Sequence, residues 1–389
     1  MGPLTAFMVL LSGIFGDEKE HGNRDAGVTK IMFGSCNTAR MEQWAWGPVM
    51  QKSPDAWVWL GDSVYGDLNV TEYSSFGAKW RPATPPHLRR LYDIQREKPG
   101  YSKLVNSGIP IFGTWDDHDY GNDNADSTYE FRAESQREFL DFLGEAQDSP
   151  RRSREGVYET HTLEKGRIRL ILLDVRYHRT PYDDDGDEGD FLGEEQWAWL
   201  EKTLRESDAE INLIGGGIQF LAPRASILGL NVAESWTRFP KARQRLLDTV
   251  LNSGARAPLF MSGDVHFAEL SEGFCRQGSK GDEARIVEIT SSGMTHSWGT
   301  EPFWFRSLLS LFLSFPGNND YQAYPIVDKL NFAEMQIRLD DSEPSVKVLI
   351  HGNDNRVHLS ASYLLAELGL KSKTAKEGEW SCRGINQKK

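Results

Sequence analysis

Trp59-Leu60-Gly61-Asp62-Ser63-Val64-Tyr65 is a β-like apolar run that stops on a glycine, a carboxylate and, three residues later, a phenol. Two stretches of similar design follow it, Trp115-Asp116-Asp117-His118-Asp119 and Ser262-Gly263-Asp264-Val265-His266. A fourth run, Lys30-Ile31-Met32-Phe33-Gly34-Ser35-Cys36, ends on a thiol. Strands that deliver metal-ligating side chains from their carboxyl ends predict one polynuclear metal site at a sheet edge. The chemistry this implies is metal-assisted hydrolysis.

Outward from these stretches, β-like runs recur at 30–36, 56–61, 109–114, 168–175, 211–214, 257–262, 285–290, 332–338 and 345–351. Helical patterns lie between several of them. Asp190 is placed to cap a helix carrying Leu192, Trp197, Leu200 and Leu204. Pro240 is placed to open another, with Leu246, Leu247, Val250 and Leu251, ending near Gly254. This alternation predicts an α/β layered fold, and the last two runs read as an antiparallel pair added to a sheet. No internal repeat or linker breaks the pattern, so one domain is expected. The 389 residues are 39% hydrophobic and 11% aromatic, enough for a large core. A net charge of −13 argues against a nucleic-acid scaffold as partner. It leaves an anionic substrate open, because bound cations reverse the sign locally.

Cys36, Asp62, Tyr65 and His266 together offer sulfur, oxygen and nitrogen donors, a mixture suited to a transition metal such as iron. Asp62, Asp117 and Asp264 form an all-oxygen set suited to calcium or magnesium. His118, beside a ligand without needing to be one, is the natural proton donor.

These motifs resemble the PhoD-like alkaline phosphatase/phosphodiesterase family of the calcineurin-like metallophosphoesterase superfamily. Leu173-Asp174-Val175-Arg176, Leu192-Gly193-Glu194-Glu195-Gln196-Trp197 and Thr290-Ser291-Ser292-Gly293-Met294-Thr295-His296 extend the likeness over about 30–352. The resemblance implies a metallophosphoesterase αββα sandwich with two mixed sheets, spanning 28–370 and followed by a polar C-terminal tail at 371–389. By the same analogy, Cys36, Tyr65 and His266 hold Fe(3+), and Asp62 bridges to Ca(2+), with magnesium or another divalent ion as the alternative at the second position. Asp117 and Asp264 stand where wider relatives carry Asn and His, and both changes substitute carboxylates. Larger members differ at Asp119-Tyr120-Gly121-Asn122-Asp123, where Asn122 and Asp123 either complete the calcium shell or brace the loop. Arg176 is the candidate phosphate clamp, with an internal salt bridge as the competing role.

The activity implied is a phosphoric ester hydrolase, an alkaline phosphatase-type phosphomonoesterase with a phosphate ester as its partner. Alternatives are a phosphodiesterase acting on phospholipids or nucleotides, and a non-catalytic binding protein that kept the fold. The apolar stretch 4–16 resembles a signal peptide (1–16), which would place the protein in a secreted or endomembrane lumenal compartment. Asn69-Val70-Thr71 is a glycosylation sequon. Cys275 and Cys382 are either a disulfide or two thiols. The Asp183–Asp190 run reads as a solvated acidic loop. The apolar stretch 303–315 is either a packed insertion helix or a peripheral membrane contact.

Overall fold

Alternation along the apolar runs decides which face of each strand meets which layer. The computed structural model describes residues 27–68, 80–181, 188–222, 226–227, 230–231, 234–278, 281–304, 307, 320–370 and 378–386. In β1 (Val28–Gly34) and β2 (Ala56–Leu60), Ile31, Phe33, Val58 and Leu60 enter one apolar layer. Met32, Trp57 and Trp59 enter the opposite one, and both sets are fully buried. β3 (Ile111–Thr114) runs parallel beside β2, as β2 does beside β1. On the other side of β1, the antiparallel strands β12 (Asn331–Arg338), β13 (Ser345–Gly352) and β14 (Val357–Leu364) complete the order β14-β13-β12-β1-β2-β3.

The second sheet has the order β16-β10-β11-β9-β6-β5-β4. Its parallel centre is β5 (Ile168–Leu172), β6 (Ile211–Gly215), β9 (Pro258–Ser262) and β11 (Glu283–Ser291). β4 (Glu159–Leu163), β10 (Ala268–Gln277) and β16 (Trp380–Gly384) flank it antiparallel, and β15 (Gly369–Leu370) pairs with β11. β7 (Ser226–Ile227) and β8 (Leu230–Asn231) form a small separate pair.

The two sheets share an inter-sheet core that includes Val58, Leu60, Leu170, Leu213, Met261, Val287, Ile289 and Val348. Helices cover the outer faces. α1 (Trp46–Gln51), α2 (Pro85–Glu97), α3 (Pro99–Val105) and α5 (Arg132–Leu143) pack on Trp57 and Trp59, with the four-residue α4 (Asp117–Tyr120) at the end of β3. α6 (Gly193–Arg205) and α7 (Pro240–Asn252) pack on Ile171, Ile214 and Phe260. In α6, Glu194 and Glu195 open the helix and Lys202 and Arg205 close it, which complements its dipole. Asp190 caps it from two residues before the cap position, accepting from Gly193 N at 2.8 Å. The architecture is the expected αββα sandwich of two mixed sheets.

The domain does not stop at 370. Trp380 is buried among α7 residues, and Cys382 lies in register opposite Cys275 and forms a disulfide with it. A short strand in a polar context is invisible locally when its partner lies 107 residues away. β10 was hidden for another reason: Glu269, Ser271 and Glu272 are buried polar residues that interrupt its apolar pattern. The 1–16 segment, the 69–71 sequon, the acidic run at 183–187 and residues 371–377 lie outside the described residues. Of 303–315, only Phe303, Trp304 and Ser307 are described. No helix among the described residues is long and apolar enough to cross a membrane.

Candidate metal centre

Parallel strands bring their carboxyl ends to one rim, and here the ends crowd. A Cβ on Gly61 (φ +86°) would fall 2.4 Å from Asp116 Cβ, and one on Gly263 2.4 Å from Ser35 Oγ. Glycine at both positions lets β1, β2, β3 and β9 converge. The residues that follow turn sharply: Cys36, Asp62, Asp264 and His266 all have left-handed φ, at 58°, 49°, 72° and 59°. Such backbone costs on the order of 1–3 kcal/mol per residue and persists at positions that the surroundings over-determine.

Those turns aim the side chains inward. Cys36 Sγ lies 3.4 Å from Asp62 Oδ2, which also accepts from Tyr65 OH at 3.3 Å. Tyr65 OH is 3.2 Å from His266 Nε2 and 2.8 Å from His296 Nε2. The four mixed donors expected from the sequence are therefore drawn together. Carboxylate and imidazole atoms of Asp62, Asp117 and His118 lie within 4.8 Å of one another, as do those of Asp116, Asp117 and Asp264. Asp117 is held by Asn124 N at 2.6 Å and His118 N at 2.9 Å. Asp119 points the other way, accepting from Ser63 Oγ at 2.6 Å and from Ser63 N and Val64 N at 3.2 Å each, so it braces the loop that carries Asp62 and Tyr65.

So many buried acids repel one another. Burial, followed by the charges of Asp117 and Asp116, pushes Asp62 well above the usual carboxylate range. Burial and Asp116 do the same to Asp264. Asp116 rises to about 7, chiefly through burial and against the pull of Arg176. For Asp117, burial is outweighed by His118, Arg176 and two backbone N–H groups, which hold it low. Burial and Asp62 raise the Cys36 thiol, and burial lowers His266 to about 3. Burial alone would lower His118 too, but Asp117 and Asp67 hold it well above its usual value, protonated. Asp62 Oδ1 is buried without a hydrogen-bond partner, and a buried carboxylate oxygen left in that state calls for a cation. The donor types, their convergence and this orphaned oxygen fit a site for metal ions, which would also favour the thiolate and carboxylate forms.

Arg176 takes the competing role. It is wholly buried, ion-paired to Asp116 at 2.5 Å and to Glu234 at 2.6 Å, so it supports the acidic floor instead of reaching a phosphate. Asn122 donates its backbone N–H to Asp117 O at 3.0 Å and lines an open cavity of about 400 Å³ with Asp123 and Asn124. Sequence reasoning missed three residues of the site. Asp67, which grips His118 Nδ1 at 2.8 and 3.0 Å, follows Tyr65 in a second Gly-Asp pair that was readable as a repeat of the first. His296 closes the quoted Thr290–His296 motif beyond β11. Asp116 was overshadowed by its neighbour Asp117.

Residues 31–303 match the family model described as PhoD-like phosphatase. The chain is 24% identical over 267 residues to alkaline phosphatase D of Bacillus subtilis (strain 168), covering 60% of this chain and 46% of the relative. It thus spans about half the length of that curated relative. A solved structure of PhoD superposes with a TM-score of 0.63 at 16% identity, covering 88% of this chain and 73% of the other.

Proposed function

The chain belongs to the PhoD-like phosphatase family, and from that premise we propose that it is a metal-dependent phosphoric ester hydrolase whose preferred substrates are monoesters. The observation that carries the reading is the convergence on Asp62 of a mixed donor set (Cys36, Tyr65, His266) and an acidic one (Asp117, Asp264). On this reading Cys36, Tyr65, His266 and Asp62 would hold ferric iron, and Asp62, Asp117 and Asp264 would hold calcium, or magnesium in its place. When bound, such ions acidify a water and offset charge on phosphoryl oxygens.

The remaining work belongs to the chain. Asp67 occupies Nδ1 of His118 and supports its protonated form, leaving Nε2 to protonate the departing alkoxide. Asp119 and Ser63 keep the Asp62–Tyr65 loop in place. Arg176 and Glu234 hold Asp116 beneath the donors. The Cys275–Cys382 disulfide supports a secreted or endomembrane lumenal location. Phe303 and Trp304, 82% and 53% exposed and close in sequence to His296, support peripheral contact with a membrane surface.

His118→Ala is the deciding variant. Its metal-to-protein ratio, read by elemental analysis, is expected to match the parent, while turnover drops about 10²–10⁴-fold. Normal turnover in this protein would remove the acid role, and parent protein that purifies without iron or calcium would remove the metal assignment. Matched monoester and diester substrates separate phosphatase from phosphodiesterase activity.

A further inference from the structure

One aromatic side chain beside the proposed acid has no part in ligation or proton transfer, yet it packs on both kinds of group. Trp80 lies nearly parallel to the His118 imidazole, with centroids 4.7 Å apart and planes 26° apart. It also abuts Tyr65 at 6.4 Å and joins the small apolar cluster of Cys36, Tyr65 and Leu68. Its backbone is fixed by a bridge to Leu68 and by Arg81 N donating to Asp67 O at 3.0 Å, so Trp80 and Asp67 are positioned as one unit. Asp67 holds one edge of the imidazole, but an edge contact alone leaves the ring able to swing about that hydrogen bond. Flat contacts restrict that swing: Tyr65 is 4.0 Å from the ring at 28°, and Trp80 is the second such neighbour.

We propose that Trp80 is a positioning residue: its indole keeps the His118 ring turned so that Nε2 meets the departing oxygen, making its contribution depend on how strongly the leaving group needs a proton. The inference rests on the acid role proposed for His118. In the step concerned, water gives up one proton to solvent as its oxygen forms the new bond to phosphorus and the ester P–O bond breaks, and His118 regains its own proton from solvent afterwards. The bonding electrons leave on the ester oxygen, and the proton on Nε2 passes to it. A nitrophenolate departs readily without that proton, whereas an alkoxide does not.

The test is a series of monoesters running from 4-nitrophenyl to simple alkyl phosphates, assayed with Trp80→Leu, Trp80→Phe and His118→Ala, each checked for parental metal content. Trp80→Leu keeps apolar bulk without a flat face. It is expected to lower kcat about tenfold on alkyl esters and less than about twofold on the nitrophenyl ester, with KM little changed. Trp80→Phe restores most of the alkyl activity. His118→Ala shows the same selectivity at larger amplitude. Equal losses across the series in Trp80→Leu, no loss at all, or no rescue by Trp80→Phe would overturn the positioning role while leaving the acid role intact. A flat leaving-group profile in His118→Ala would instead overturn the acid role, and this proposal with it.

Discussion

The inter-sheet core and the rim where the strands end are built from the same strands yet work in opposite directions. In β2, Val58 and Leu60 are fully buried among aliphatic neighbours, and two residues later Asp62 sits in left-handed backbone with an unpartnered oxygen. In β9, Leu259 and Met261 belong to the core, while Asp264 and His266 beyond it have positive φ. Burying one such aliphatic side chain stabilises by roughly 1.5–3 kcal/mol. Each strained rim residue costs a comparable amount, and the crowded carboxylates add repulsion. The difference teaches that the core holds together a rim which, without cations, opposes folding.

Breaking that relation at its centre gives the largest expected effect. Asp62→Asn replaces the carboxylate shared by both donor sets with a neutral amide, so bound metal and turnover fall together, the latter on the order of 10³-fold. The same variant, metal-free, is expected to melt no lower than the metal-free parent, because a repelled buried charge has gone. A lower melting temperature in calorimetry would show that Asp62 stabilises the fold, contrary to the comparison. Next in size is Ile289→Ala, two residues before the end of β11 in the core. Denaturant unfolding should show a loss of about 2–5 kcal/mol, with the metal-to-protein ratio of the folded protein unchanged. Coupled loss of metal would mean that core and rim are not separable.

The smallest effect sharpens the electrostatic half of the contrast. Asp62, Asp264 and Asp116 have folded pKa values raised above their unfolded ones, Asp116 to about 7. Groups of that kind contribute stability that is present below the unfolded carboxylate range and lost as pH rises through the folded value. In chelator-treated protein these acids should therefore tilt the melting temperature downward from about pH 5 to about pH 8 by a few degrees, since about 1 kcal/mol moves the midpoint of a large domain by about 2–4 °C, while His266, held at about 3, tilts it the other way. Asp264→Asn should flatten that slope. An unchanged slope in the variant would mean that the rim acids are not its source.

The apolar runs and their acidic ends were legible because each is a local signal: a few residues of β-pattern, a glycine where the chain must turn, and a donor behind it. Eight of the nine proposed site residues lie on the strand-end stretches or the α4 loop for that reason, while Arg176 stayed open between clamp and salt bridge because nothing local distinguishes a buried ion pair from an exposed clamp. β16 and β10 escaped because their strand character depends on neighbours far along the chain. By itself, then, the sequence determined where strands end and which donors stand there. Only the tertiary structure decided which donors meet. Tyr65 reaches His266 and His296 across 201 and 231 residues of chain, and Asp67 selects the Nδ1 edge of His118 across 51. The two longer distances are closed by the packing of two sheets face to face and the third by the pairing of β2 with β3, and short-range periodicity carries no information about either register.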